Sequence, residues 1–332
     1  MEEIKLDNID DVIRIFLLDD KKMLYRGQSN DIWDIVPNMY REALLIKKYI
    51  VSEHHIKEIS KRINARSFIK AEIFVITEFI KNAHSISLRL PFRSINLINT
   101  IDNVKIWPTL ECNEILSLLQ HYGMPTCLLD WSNNPLVALY FATESHVNDS
   151  RIDQRFAIWT FDQKLLKEIK DKLLHLSKTN VGVNKEIELI IKELERIKII
   201  HSDSEINKNL GAQKGCFIYI QHDINDKLTK SITELLNNIN EKIKSIDQEG
   251  YKTGLAFLNN GIDVPSDLDS KYLNELRKTN KLINKYTISG SLAAQILKIL
   301  KKLGISKTSL FPSYESCIEQ ILNDSTLKRR RS

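Results

Sequence analysis

Cysteine is sparse and scattered. Cys112, Cys127, Cys216 and Cys317 form no C-x-x-C pair, and no histidine stands at metal-ligand spacing from them. That pattern argues against a disulfide framework and against a structural zinc site, so no metal is expected. Long apolar runs are lacking as well. No stretch approaches the roughly 18 apolar residues of a membrane helix, so no membrane partner is expected. The opening residues MEEIKLDNIDDV are acidic and hold no apolar core of a signal peptide, which predicts a cytoplasmic protein. Neither sign of charge dominates: 48 Lys and Arg against 43 Asp and Glu leave +5. So mild an excess permits an anionic ligand such as a nucleotide but does not call for nucleic acid, and no interleaving of aromatic and basic residues suggests RNA. Glycine and proline are scarce, 10 and 7 in 332 residues, while Ile, Lys and Asn abound, a codon-type bias without mechanistic content. Repeats with periods of roughly 20–50 residues are absent.

What is present is ordinary globular material. Hydrophobic residues make up 42% and charged residues 27%, in a chain long enough for a sizeable core. Helical spacing of apolar residues predicts helices over 9–18 and within 40–86, where Phe68, Ile69, Ile73, Ile76, Phe79 and Ile80 share a stripe. Residues 22–28 predict a short strand ending at a glycine turn. A helix over 111–122 is stopped by Gly123 and Pro125, and a buried strand follows at 126–130. The run SNNP at 132–135 starts an apolar helix over 136–147, with Ser132 or Asn133 as its cap. Alternation predicts strands at 155–161 and 215–221, and a further strand is expected within 279–288. Residues 163–209 are charged with a helical pattern and suggest an insertion or arm, and 227–249 repeat that character. Ser289 or Ser291 caps a helix over 291–303 that ends at Gly304, and a last helix covers 314–322. The terminal Lys328-Arg329-Arg330-Arg331 reads as a solvated basic tail over 323–332. Strands without regular βαβ spacing predict an α+β fold, a small mixed or antiparallel sheet core with extensive helical insertions.

Three segments concentrate chemistry. Residues 118–142 place His121, Tyr122, Thr126, Asp130, Trp131 and Ser132 beside the start of an apolar helix that also carries Tyr140. Polar groups at a strand end next to a helix N-terminus suit an anionic ligand, because free N–H groups point there. The run Tyr25-Arg26-Gly27-Gln28 ends a strand with an arginine, whose planar fork matches a phosphate. Leu210-Gly211-Ala212-Gln213-Lys214-Gly215 brackets a glutamine with glycines before a strand. Taken singly, each also reads as a capped helix or an ordinary turn.

Together they resemble the FRG domain. Tyr25-Arg26-Gly27 stands for the Phe-Arg-Gly motif of that family, and Trp33 to Arg41 resembles its W-x-L-x-P-S-L-x-R element. Residues 118–142 resemble its H-Y-G-x-P-T-x-L-L-D-W-T-x-x-P-x-x-A-L-x-F-A element, with Ser132 in place of Thr and Cys127 in place of a frequent Arg. Ala212-Gln213-Lys214-Gly215-Cys216-Phe217 resembles A-Q-x-G-x-F. Leu303-Gly304-Ile305 with Ser309-Leu310-Phe311-Pro312 resembles the closing G-I-x-x-x-x-L-F-P-D-L, Ser313-Tyr314 replacing Asp-Leu. The resemblance implies one FRG domain over 10–322, with a core at 20–161 and 210–222, the helical insertion at 163–209 and a helical part at 227–322.

The order of these elements is in turn similar to the ADP-ribosyltransferase fold. That likeness implies an intracellular bacterial enzyme that uses NAD or a related nucleotide, in anti-phage defence or as a toxin. It casts Arg26, His121, Asp130, Ser132 and Gln213 as catalytic, and Arg26, Gly27, Gln28, Tyr122, Thr126, Trp131 and Tyr140 as binding the nucleotide. Gln213 departs from the carboxylate such an enzyme would use, and Glu205, eight residues upstream, is misplaced for that role. Either another acid such as Asp130 serves, or the chemistry differs from protein ADP-ribosylation, or the site binds without turnover. The alternative is a non-catalytic nucleotide-sensing or protein-interaction module, with 163–249 as its partner surface.

Overall fold

Every strand of the main sheet is short, β5, β6, β7 and β9 are rich in β-branched or aromatic residues, and the faces of the sheet are covered by separate groups of helices. The computed structural model describes residues 2–18, 22–41, 65–91, 104–148, 154–179, 185–201, 208–260 and 267–323. The basic tail from 324 onward, Glu205 and the parts of the predicted helices within 42–64 lie outside the described residues. The first half runs β1 (Glu2–Leu6), α1 (Ile9–Phe16), β2 (Leu24–Gln28), α2 (Asn38–Arg41), α3 (Ala65–Ser85), β3 (Ile106–Trp107), α4 (Asn113–His121), β4 (Leu129–Ser132), α5 (Pro135–Asn148) and β5 (Phe156–Phe161). The second half runs α6 (Gln163–Thr179), α7 (Lys185–Glu195), β6 (Ile197–Ile200), α8 (Lys208–Ala212), β7 (Gly215–Ile220), β8 (His222–Asp223), α9 (Ile232–Asn260), α10 (Asp267–Leu276), β9 (Ile283–Ile288), α11 (Ala293–Lys302), α12 (Lys307–Leu310) and α13 (Tyr314–Asn323).

Seven strands form one mixed sheet in the order β1-β9-β5-β2-β4-β7-β6, while β3 and β8 pair separately. Only β1 and β9 run parallel; the other neighbours are antiparallel. The α+β expectation with a mixed sheet therefore holds. Two strands of the main sheet have no counterpart in the sequence reading. β1 lies in an acidic segment given no strand. β6 lies inside the stretch read as helical: Ile-Lys-Ile-Ile continues the apolar spacing of α7, but its β-branched residues pair with β7 from Ile197↔Ile220 to Ile200↔Phe217. The fourth strand starts later than predicted, because residues 126–128 are held by side chains: Cys127 N donates to Glu72 Oε1 and Leu128 N to Thr126 Oγ1. The cap of α5 is also shifted. Asn134, not Ser132 or Asn133, accepts the Leu136 N–H on its side-chain oxygen at 3.0 Å. Gly123 (φ +86°) and Gly304 (φ +80°) end α4 and α11 in the left-handed conformation, as expected.

One face of the sheet is covered by α6, α7, α9 and α10. Leu166, Ile169, Ile187, Ile190, Ile239 and Tyr272 pack there on Trp131, Trp159, Phe161 and Ile218. The charged helices of 163–209 thus form a layer over the sheet, their polar faces accounting for the composition. The other face is divided. α1, α5 and α11 cover its β5 and β9 side, where Tyr25, Phe156 and Ile158 are buried. α3 and α4 cover the β7 side through Phe68, Ile76, Leu116, Phe217 and Tyr219. Between those two groups β2 and β4 pair only at Tyr25↔Ser132, so the central strands diverge. That divergence makes room for a cleft.

A buried histidine gives this fold a pH dependence. His222 in β8 is 1% exposed, with Nε2 3.0 Å from the Thr229 carbonyl, and burial together with the Arg196 charge lowers its pKa from 6.5 to about 4. The unfolded chain takes up this proton first, so the stability from the neutral ring is full above pH 6.5 and declines as pH falls towards 4. The whole effect is roughly 3 kcal/mol. Urea unfolding across that window should show a steeper slope in wild type than in His222→Gln; equal slopes would mean the ring does not titrate as described.

Candidate functional site

The cleft sits where β2 and β4 separate, a cavity of about 420 Å³ whose walls include Arg26, Trp33, Arg41, Asp130, Phe141 and Gln213. Helix α5 forms its floor and comes unusually near β2. A Cβ at Gly27 would lie 1.9 Å from the Ala138 carbonyl oxygen and 2.9 Å from the Ala142 nitrogen, so only glycine fits against the helix backbone. Its φ is not positive, so space rather than conformation requires it. Ala138 and Ala142, four residues apart, present one small face of α5 to that strand. Gly27 lines the cleft, and this packing is the physical ground for its place there.

Next to it, Arg26 projects a guanidinium that is mostly buried, with 16% of its side chain exposed. Nη1 donates to the Asp130 carbonyl at 2.7 Å, and the Asp130 Oδ2 lies 3.9 Å away. The Nε–H is buried and has no partner. Burial lowers the pKa of Arg26 to about 10; Asp130 opposes this and Arg41 adds to it. A desolvated cation with a spare donor favours an anion. Trp131, 2% exposed, packs in the core beneath α6 and α7, and its buried indole N–H has no partner.

Asp130 is more open than Arg26. Its side chain is 60% exposed, and Gln120 Nε2 donates to Oδ1 at 2.8 Å. Gln120 is oriented in turn by the Thr126 hydroxyl, which donates to Oε1. Thr126 is buried in that relay and lies outside the cavity lining. Ser132 and Gln213 are engaged in structure. Ser132 Oγ donates to the Gln213 carbonyl at 2.7 Å and accepts from Asn134 N at 2.9 Å. Gln213 Nε2 donates to the Leu310 carbonyl at 3.1 Å, tying the start of β7 to α12. Gln28 accepts from Trp159 Nε1 at 2.7 Å and donates to the Asp34 carbonyl at 3.2 Å.

Of the residues singled out from sequence, Arg26, Gly27, Gln28, Asp130, Trp131, Ser132 and Gln213 meet at this cleft. His121, Tyr122 and Tyr140 do not line it. His121 and Tyr122 lie exposed at the end of α4, their rings edge-to-face at 5.0 Å. Tyr140 is buried, its hydroxyl donating to Glu144 at 2.8 Å, an arrangement that with burial raises its pKa. Cleft residues that sequence reasoning left unassigned are Trp33, Arg41, Phe141 and Phe311. Trp33 and Arg41 are the two ends of the W-x-L-x-P element, and that framing was the available signal. Phe141 and Phe311 pack edge-to-face at 5.8 Å, bringing the closing Leu-Phe-Pro element to the cleft wall. Among the described residues, no group of three His, Cys, Asp or Glu could hold a metal ion, and no helix is long and apolar enough to cross a membrane.

Fold and site together define an α+β protein whose mixed sheet opens into a cleft between its central strands, where charged side chains meet an apolar wall. Residues 21–151 match the family model of the FRG domain, so the chain carries an FRG domain over β2 to α5. No curated protein and no solved structure matches the chain. Gln213 and Phe311 fall outside the matched stretch and still reach the same cleft.

Proposed function

We propose that the cleft binds NAD or a related nucleotide, and that the protein is an intracellular bacterial ADP-ribosyltransferase-like enzyme. The observation that carries this reading is Arg26: a buried guanidinium with an unpartnered Nε–H, beside an exposed carboxylate in one cavity. Arg26 takes a phosphate oxygen. Asp130, oriented by Gln120, faces the ribose. In the reaction the N-glycosidic bond breaks, nicotinamide leaves with the bonding pair, and the positive charge at the ribose carbon is stabilised by the carboxylate until water or a target side chain attacks. Asp130 thereby takes the part that neutral Gln213 cannot. Consumption of cytoplasmic NAD or modification of a target would suit anti-phage defence or a toxin.

The commitment of Ser132 and Gln213 to structural hydrogen bonds favours a second reading, a module that senses nucleotide without turnover or engages a partner protein. One experiment separates the two. Purified protein is incubated with adenylate-labelled NAD, with and without cell lysate, and nicotinamide release, label transfer and melting temperature are followed. The enzyme reading expects Arg26→Ala to lose both the NAD-induced melting shift and turnover. It expects Asp130→Asn to keep the shift and lose turnover by about 100-fold or more. A melting shift without release or transfer in wild type leaves the sensing module. Neither shift nor turnover removes NAD from the account.

A further inference from the structure

We infer that the cleft continues into a second chamber that holds the other half of a two-part nucleotide, its base stacked on Trp33 and its phosphate between Arg41 and Lys230. The inference rests on the nucleotide reading of the cleft and adds what that reading leaves open, the length of the ligand. A cavity of about 470 Å³ is lined by Trp33, Asp34, Val36, Tyr40, Arg41 and Lys230. Two of these residues, Trp33 and Arg41, also line the first cavity of about 420 Å³, so the two spaces share a wall.

The chemistry of that wall is what a base and a phosphate require. Trp33 is 44% exposed, a large aromatic left half-open on the wall that the two cavities share. Bases of any sequence stack on such a platform. Arg41 is anchored, its Nε donating to the Val36 carbonyl at 2.8 Å, and burial lowers its pKa, opposed by Asp130. Asp130 thus acts on both Arg26 and Arg41, and an anion between the two arginines would relieve their mutual repulsion. The acid in the second chamber is occupied. Asp34 accepts from Ile35 N at 2.7 Å and Thr233 Oγ1 at 2.6 Å on one oxygen, and from Ser231 Oγ at 2.8 Å on the other. Those bonds fix the start of α9 and place the exposed Lys230 beside the chamber.

The test compares NAD with nicotinamide mononucleotide by calorimetric titration of the full chain. Wild type should bind NAD at least about tenfold more tightly, the yield of one base stack. In Trp33→Ala combined with Lys230→Ala that preference should collapse towards unity, and Trp33→Phe, which keeps a ring, should restore most of it. Both side chains are partly or fully solvent-exposed, and a melting curve of each variant checks the fold. Equal affinities in wild type, or a preference that survives the double substitution, overturn the second chamber while leaving the Arg26 site standing. If wild type binds neither compound, the nucleotide reading itself fails and the second chamber goes with it.

Discussion

Gly27→Ala should lower the unfolding free energy by about 3 kcal/mol or more, near the upper end for overpacking. The added methyl would meet backbone, not a flexible side chain: Ala138 O at 1.9 Å and Ala142 N at 2.9 Å. Either α5 must lift or β2 must move, and movement of β2 would carry Arg26 away from the Asp130 carbonyl. Gly123→Ala is the matching control. Nothing lies within 4 Å of its added carbon, and only the left-handed φ of +86° opposes it, worth about 1 kcal/mol. Urea denaturation of the two variants should therefore separate them by about 2 kcal/mol. Similar losses would show that α5 does not press on the strand as described.

Glu72→Ala should be as damaging, about 3–5 kcal/mol, because it leaves two buried donors unsatisfied. Glu72 is 2% exposed; Oε2 accepts from Trp107 Nε1 and Oε1 from Cys127 N, each at 2.7 Å. Burial raises its pKa, opposed by those bonds. Glu72→Gln keeps one acceptor and should lose less. Because Cys127 begins the segment that leads to Asp130, Glu72 is a positioning residue for the cleft. Its loss should weaken nucleotide binding in folded protein at low temperature, which a purely local core defect would leave intact.

The strands legible in the sequence were β5, β7 and β9, where β-branched or aromatic residues stood clear of helix, and β2, marked by the glycine that follows Arg26. β6 was hidden because Ile197, Ile199 and Ile200 also fit the period of the helix before it, and only pairing with β7 decides between the two. The cleft was legible in the same partial way. Arg26, Asp130, Ser132 and Gln213 came from motifs and do converge, but the dense polar run at 118–132 mixes groups that line the cavity with groups that hold the loop. Thr126 belongs to the second kind: a short hydroxyl in a turn satisfies its neighbours first. Arg41 is distant in sequence from Arg26, and only the fold brings the pair together. Glu72 did carry a signal, an acid on the stripe with Phe68, Ile69 and Ile76, where an unpaired charge would be intolerable.

The narrow join between β2 and β4 bears on what can be separated from what. The stretch 21–151 supplies just these two strands to the seven-stranded sheet, and they touch at one residue pair. Their outer partners, β5 and β7, are encoded beyond it. A fragment cut at those limits would keep the arginine and the aspartate but no ladder to align them, and would bare the Trp131 face that α6, α7 and α9 cover. The recognisable segment is thus an inlay: its geometry is imposed by a frame written elsewhere in the chain.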